Sequence, residues 1–143
     1  MRVFIVKLKR CLMNFKRFIL TVLVAFIFVF LYEFLIHGFL LQDTYMQYAH
    51  LWRAEGEEQM EVMFLSQFLF SLFMVFLYTR HHEGKGPMEG LRFGLYLGLI
   101  MSSVSLGSYA FMPISFSITL SWIFSSFIEC LGIGLIASVL YKN

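Results

Sequence analysis

The sequence predicts an all-α integral membrane protein: a four-helix bundle with both termini in the cytoplasm and an N-terminal amphipathic helix at the membrane interface. Its 143 residues are 59% hydrophobic and only 14% charged, with 18 Phe and a mean hydropathy of +0.77. An ordinary soluble domain is about half apolar and about a quarter charged. Four apolar runs each reach the roughly 20 residues that a helix needs to cross the hydrocarbon core.

The first seventeen residues form a basic segment that holds six of the eleven Lys and Arg residues. At helical spacing its apolar face comprises Phe4, Leu8, Cys11, Leu12 and Phe15, and its polar face comprises Lys7, Arg10, Asn14 and Arg17. We predict that residues 1–17 form an amphipathic helix that lies on an anionic leaflet or docks on a partner. The alternative is a flank that only orients the first span. We predict no nucleic-acid binding, because a basic run before an apolar span is typical of a cytoplasmic flank.

The apolar runs predict membrane-spanning helices over residues 18–41, 60–79, 91–111 and 116–141. Helices are required because an open strand in lipid leaves its backbone polar groups unpaired. We expect the first span to be retained, since its apolar run is about twice as long as that of a cleaved signal peptide. Cys11 lies in the basic N-terminal segment and Cys130 inside an apolar run, both away from an oxidising loop, so we predict no disulfide framework. The sequence contains neither CxxC nor a Cys/His cluster, so we predict no zinc site.

The charges of the connecting loops predict the orientation. Residues 42–59 carry four acidic side chains against the single Arg53, whereas residues 80–92 include Arg80, Lys85 and Arg92. Because basic residues mark cytoplasmic loops, both termini and the 80–92 loop are expected inside. Four crossings satisfy this assignment at every loop.

The predicted outer loop begins with an aromatic face. Tyr45, Tyr48 and Trp52 follow one another at helical spacing directly beyond the first span, and such rings favour the headgroup level. We predict them to be interfacial anchors. The first helix is expected either to continue past Gln42 or to turn along the outer surface as far as Gly56.

Two rows of small residues predict tight packing between the third and fourth spans. The rows are Gly90, Gly94, Gly98 and Ser102 in the third span and Ser126, Cys130, Gly134 and Ser138 in the fourth. Small residues at intervals of four let helix backbones approach closely in membranes. The alternative is that one row faces a separate protein.

Polar side chains within the spans are the candidate functional residues. Glu33, His37 and Glu129 interrupt apolar runs, and Gln67 is a weaker fourth candidate. A charge near the bilayer centre costs about 2.5–3.5 kcal/mol on insertion scales. Counted at 1.5 Å per residue from the outer end, His37 lies roughly 6 Å deep, Glu33 roughly 12 Å and Glu129 roughly 20 Å.

Three interpretations of these polar groups remain open. They form a buried network that fixes helix register, or a carboxyl group relays protons or contacts a ligand, or Glu33, His37 and Glu129 bind a metal. The last is disfavoured because Glu33 and His37 are four residues apart, whereas di-metal bundles repeat Glu-x-x-His. We predict no metal, no cofactor and no catalytic residue, because neither a nucleophile–base pair nor a phosphate-binding loop is found in the sequence.

The runs YEFLIHGFLL, YMQYAHLWR and EGKGPMEGLRFGLYLGL, followed by a later Pro, resemble those of a group of small four-span bacterial membrane proteins without assigned activity. The resemblance covers residues from about 30 to 141 and brings no functional residues with it. It implies the bacterial inner membrane.

Our leading functional hypothesis from the sequence is a non-catalytic integral membrane subunit of a larger complex. Its partners would be lipid and other membrane subunits, contacted through the N-terminal helix or through Phe26, Phe30, Phe64, Phe68 and Phe76. The alternative is that these rings face lipid alone. Two further hypotheses are a small oligomeric transporter or proton-conducting protein that uses Glu33, His37 and Glu129, and a metal-binding membrane enzyme. Water reaching Glu129 would favour transport, and a dry, satisfied network would favour the subunit.

Overall fold

The computed structural model describes residues 13–54 and 56–142. The predicted interfacial helix over residues 1–17 lies mostly outside this part of the chain, as do Cys11 and Glu55. Residues 15–17, which we assigned to that interfacial segment, form the first turn of the first spanning helix instead.

The described residues form helices and contain no strand. The helices are α1 (Phe15–Glu33), which continues as a π-helix over Phe34–Leu40, then α2 (Gln42–Met46), a 3-10 turn (Ala49–Leu51), α3 (Met60–His81), α4 (Pro87–Ser108) and α5 (Phe116–Leu140). Four of them, α1 with its π-helical extension, α3, α4 and α5, are long and apolar enough to cross a membrane. The all-helical, multi-pass architecture is thereby confirmed.

The helix boundaries differ from the approximate predicted spans at several ends. The first helix begins at Phe15 rather than residue 18 because the Asn14 side chain caps it, accepting the Arg17 N–H at 3.2 Å. The third spanning helix occupies Pro87–Ser108 rather than 91–111. Proline suits the first helical position, where its missing N–H costs no hydrogen bond.

The first helix does not continue past Gln42 in regular form. Its last seven residues adopt the wider π-helical turn, and Leu41 N–H donates to the Ile36 carbonyl five residues back, at 2.9 Å. The chain bends at Leu41, and two short helical segments follow before α3. π-Helical turns are rare and frequently occur at functional sites.

The bundle has two ends, which we name by their residues. The Trp52 end comprises residues 41–54, 56–59 and 109–115, and the Pro87 end comprises residues 82–87 with residues 13–14 and 141–142. At the Pro87 end the Asn14 N–H donates to the Tyr141 hydroxyl at 3.3 Å, which ties the two described chain ends together.

Helix α5 is the centre of the bundle, since it packs against α1, α3 and α4. Helix α4 packs chiefly on α5, while α3 packs on α1 and α5. Near the Pro87 end α3 and α4 touch through the rings of Tyr78 and Phe93, whose centroids are 5.4 Å apart. Nearer the Trp52 end a cavity lies between them, lined by Phe70 of α3 and Met101 of α4 among others.

The two predicted rows of small residues face each other across α4 and α5. A side chain at Gly90 would collide with the Gly134 carbonyl, and one at Gly94 would come within 2.5 Å of the Cys130 carbonyl. Further along, the Ser102 hydroxyl donates to the Ile123 carbonyl at 3.1 Å. The remaining members meet neighbours of the same interface: Gly98 faces Phe127, Ser126 lies 3.3 Å from Ser105, and Ser138 lies beside Gly90.

The half of the bundle nearer the Pro87 end is a continuous apolar core. Its main members are Phe18, Val22, Ala25, Met74, Val75, Tyr78, Ile133, Ala137 and Tyr141. Clefts of about 340 Å³ and 400 Å³ lie at its margin, beside Tyr141 and Tyr78 respectively.

Four of the five Phe residues that we considered for partner contacts pair across α1 and α3. The Phe26 and Phe68 centroids are 5.8 Å apart, and those of Phe30 and Phe64 are 5.5 Å apart. Phe76 is 40% exposed and lies beneath the Arg80 guanidinium. Much of this aromatic surface therefore stabilises the fold itself.

Candidate functional site

All four polar residues singled out from the spans line one cavity. Glu33, His37, Gln67 and Glu129 face a space of about 480 Å³ in the half of the bundle nearer the Trp52 end. Every spanning helix contributes to its wall. Its other polar lining residues are Ser66, Ser105, Ser108, Trp122 and Ser126.

Glu33 and His37 lie on either side of the change from α-helix to π-helix. Glu33 is the last α-helical residue, and His37 lies in the π-helix that follows it. Their side chains approach to 3.5 Å between Glu33 Oε2 and His37 Nε2. Both side chains are about one-third exposed, at the cavity wall rather than in the packed core.

The other nitrogen of His37 connects the cavity to the Trp52 end. His37 Nδ1 lies 2.5 Å from the Tyr45 hydroxyl, and the two rings stack with centroids 5.9 Å apart. The Trp122 indole N–H donates to the same hydroxyl at 2.6 Å. Tyr45 thereby joins the loop to α1 and α5, and burial raises the pKa of its phenol above the ordinary value.

The predicted aromatic anchors occupy different environments. The Trp52 ring packs edge-on against Tyr45 with centroids 5.5 Å apart, and Tyr48 is half-buried between the two short helical segments. The Tyr45 side chain instead links the loop to α1 and α5 through His37 and Trp122. The i, i+3, i+7 spacing of the three aromatic residues did not indicate this role.

Glu129 is the most buried charged residue of the cavity. It is 7% exposed, and its carboxyl group makes no hydrogen bond or ion pair with any residue in the described part of the chain. The Gln67 Oε1 atom is also buried there without a partner. Buried polar groups in proteins are nearly always hydrogen-bonded, and an unpaired one is costly. The Glu129 carboxyl group therefore lines the cavity without a partner among the described residues.

The three ionisable side chains of the cavity are divided between two facing helices. Glu33 and His37 form a pair, whereas Glu129 projects from the facing helix α5. Between residues 13 and 142, Glu55 excepted, no group of three or more His, Cys, Asp or Glu side chains has the geometry to hold a metal ion.

A second polar cluster organises the Pro87 end. The Glu89 carboxylate accepts the N–H groups of Glu83 and Lys85, each at 2.7 Å, and lies 3.3 Å from His82 Nδ1. The Lys85 ammonium pairs with the Glu83 carboxylate and lowers the pKa of that carboxyl group. Gly84 supplies a left-handed backbone conformation, with φ at 78°. This cluster explains the loop's shape and lies at the opposite end of the bundle from the cavity.

The cavity contains residues that sequence reasoning missed. Ser66, Ser105, Ser108 and Trp122 line it, as does Ser126, which we predicted only as a packing residue. Serine is common in membrane helices because its hydroxyl group can bond to a carbonyl of its own helix. The presence of serine alone therefore did not indicate a cavity, although all four serines occur within the predicted spans.

Comparisons of the chain with protein-family models, with curated proteins and with solved structures found no match. The chemistry of the cavity is what indicates a function, and it consists of two carboxyl groups, one imidazole and several hydroxyl groups.

Proposed function

We propose that the protein is a small transporter of the bacterial inner membrane that takes up protons or a cation at Glu33 and Glu129. Both termini lie in the cytoplasm in this proposal, and the cavity faces the outer compartment. The basic loop 80–92 and the acidic loop 42–59 support the orientation. The observation that carries the proposal is the Glu129 carboxyl group, which lines a cavity among the long apolar helices and has no partner among the described residues.

The lining charges favour a cation over an anion. Glu33 and Glu129 supply two carboxyl groups, and neither Lys nor Arg lines the cavity within the described chain. Ionisable groups inside the membrane commonly mark ion pathways and proton relays. A cation that pairs with Glu129 would supply the partner that the protein itself does not.

His37 offers a route for protons into the cavity. It also lines a second space of about 420 Å³ at the Trp52 end, together with Trp52, Arg53 and Glu58. One imidazole nitrogen contacts Tyr45 on that side, and the other faces Glu33. An imidazole placed between two such groups can accept a proton on one nitrogen and release one from the other.

Transport across the whole membrane requires more than this conformation of one chain. The apolar core closes the half nearer the Pro87 end, so the cavity is blind. A rearrangement of α4, which packs chiefly on α5, or assembly with a second copy would open the other side. We therefore propose an oligomeric protein with alternating access.

An accessory-subunit role is the second candidate. Helix α4 contacts chiefly α5, and its outward face carries Tyr96, Leu99, Ile100 and Val104, each more than half exposed. Such a face accommodates a partner helix as well as lipid. In this role the Glu129 carboxyl group would be paired by the partner.

Proton flux into liposomes tests the transport proposal. Purified protein is reconstituted with a trapped pH-sensitive dye, and a potassium diffusion potential is imposed. We expect flux above that of protein-free liposomes, largely lost in Glu129→Gln and retained in Glu61→Gln, whose carboxyl group is exposed in the first turn of α3. Equal flux in wild-type and empty liposomes, or full flux in Glu129→Gln, would contradict the proposal.

A further inference from the structure

The cavity has a lateral opening between α3 and α4. These helices touch at Tyr78 and Phe93 near the Pro87 end but make no extensive contact elsewhere. Ser66 on α3 and Val104 on α4 both line the cavity and are both exposed, Val104 by 61%. A residue that is exposed and also lines the cavity marks its rim. The cavity is therefore open between α3 and α4.

The wall combines acidic and apolar surfaces. Glu33 and Glu129 lie on the α1 and α5 side. Most of the remaining wall is apolar, and it is formed by Val29, Phe70, Met101, Val104 and the Trp122 ring. Ligand sites of drug-sized molecules have this character, with volumes of roughly 300–1,000 Å³ and few polar groups; the 480 Å³ cavity falls in that range.

The same wall is poorly suited to a bare metal cation. Hard cations such as Ca²⁺ take six to eight oxygen ligands, whereas here aliphatic and aromatic side chains cover much of the surface. An organic cation needs only one or two carboxylates for its charge, and it gains stabilisation from aromatic faces. Trp122 and Phe70 are placed in the wall for that contact.

We infer that the cavity binds an amphiphilic organic cation that arrives from the lipid between α3 and α4, with its charge beside Glu129 and its apolar body against Trp122 and Phe70. This inference rests on the proposed transport function and names its substrate class. One observation supports the inference independently of how many acidic residues line the cavity. Glu129 is 7% exposed, faces the cavity and has no partner among the described residues.

Two ions of the same shape and opposite charge provide the test. Binding of radiolabelled tetraphenylphosphonium and of tetraphenylborate to the purified full-length protein in mild detergent is measured by equilibrium dialysis. We expect saturable binding of the phosphonium only. In Glu129→Gln its affinity should fall at least about tenfold, because a buried charge loses its partner. Glu61→Gln is the matched control and should bind like the wild type.

Chemical modification of the wild-type protein tests the same inference without a variant. Dicyclohexylcarbodiimide, an apolar reagent, modifies carboxyl groups that are reachable from lipid, and mass spectrometry locates the product. We expect modification at Glu129 and protection by tetraphenylphosphonium but not by tetraphenylborate. Equal effects of the two ions, no saturable phosphonium binding, or undiminished binding in Glu129→Gln would overturn the inference. If phosphonium binding fails these tests but proton flux into liposomes persists, the transport proposal stands. If phosphonium binding and proton flux are both absent, the inference and the transport proposal are both refuted.

Discussion

The Tyr45 hydroxyl group lies 2.5 Å from Nδ1 of His37, and this contact determines which imidazole nitrogen carries the proton. The Trp122 N–H can only donate, so the Tyr45 oxygen accepts it and the phenol proton is free to point at Nδ1. A neutral His37 then carries its proton on Nε2, 3.5 Å from Glu33 Oε2. The loop residue Tyr45 thereby orients the imidazole towards the carboxyl group of the cavity.

Tyr45→Phe should destabilise the protein, because it leaves both the Trp122 N–H and His37 Nδ1 without their partner. Loss of such bonds costs about 1–3 kcal/mol for each buried group left unsatisfied. Thermal unfolding in detergent, followed by circular dichroism, measures the change. Tyr48→Phe is the control, since the Tyr48 side chain makes no hydrogen bond with the described residues. Equal unfolding temperatures for wild type and Tyr45→Phe would refute the linking role.

Gly90→Ala should weaken the packing of α4 on α5. Its methyl group would collide with the Gly134 backbone carbonyl, which cannot move aside without shifting α5. Overpacking of this kind costs on the order of 1–3 kcal/mol. Gly107→Ala, in the same helix, is the matched control because nothing lies within 4 Å of the added methyl group.

The expected result is a clearly lower unfolding temperature for Gly90→Ala and an unchanged or slightly higher one for Gly107→Ala, where alanine favours the helix. Similar unfolding temperatures for the two variants would show that the close approach of the backbones at Gly90 and Gly134 is absent.

Glu89→Ala should loosen the loop at the Pro87 end without affecting the cavity. The change removes the acceptor of the Glu83 and Lys85 N–H groups. Hydrogen exchange measured by mass spectrometry should show faster exchange across residues 82–86. Glu83→Ala, which removes only the exposed ion pair with Lys85, should leave these amides protected. Loss of protection in both variants alike would argue against the capping role of Glu89.

The long elements and the candidate residues could be predicted from the sequence because they depend on composition and spacing. Twenty consecutive apolar residues require a helix in lipid whatever they pack against. Glu33, His37, Gln67 and Glu129 were identifiable because charge and amide groups are rare in such runs. Glycine at every fourth position likewise indicated a close helix contact before any neighbour was known.

The features that the sequence did not reveal depend on tertiary contacts. The π-helical turn over Phe34–Leu40 is a change of hydrogen-bond register, which leaves no mark in composition. The bond between Tyr45 and Trp122 joins residues 77 positions apart. The cavity between α3 and α4 depends on how each helix packs on the other spanning helices rather than on either helix alone.

Binding of tetraphenylphosphonium should weaken as the pH falls. Protonation of Glu129 or Glu33 removes the charge that attracts the cation, and protonation of His37 adds a repelling charge, so all three changes act in the same direction. The other titratable groups near Glu129 are Tyr32 and Cys130, and neither gains negative charge on acidification. Equilibrium dialysis between pH 9 and pH 5 measures the effect. An affinity that is constant or rises towards pH 5 would contradict the pairing with a carboxylate.

Cysteine accessibility tests most directly whether Glu129 faces a cavity that is open towards the Trp52 end. Single cysteines are placed at Ser126, Glu129 or Ile133 in a chain that carries Cys11→Ser and Cys130→Ala. They are then treated in membranes with a small, water-soluble, cationic methanethiosulfonate reagent. The cavity predicts rapid modification at positions 126 and 129 and none at 133, whose side chain is 0% exposed in the core. Unreactive cysteines at 126 and 129, or equal reaction at 133, would contradict it.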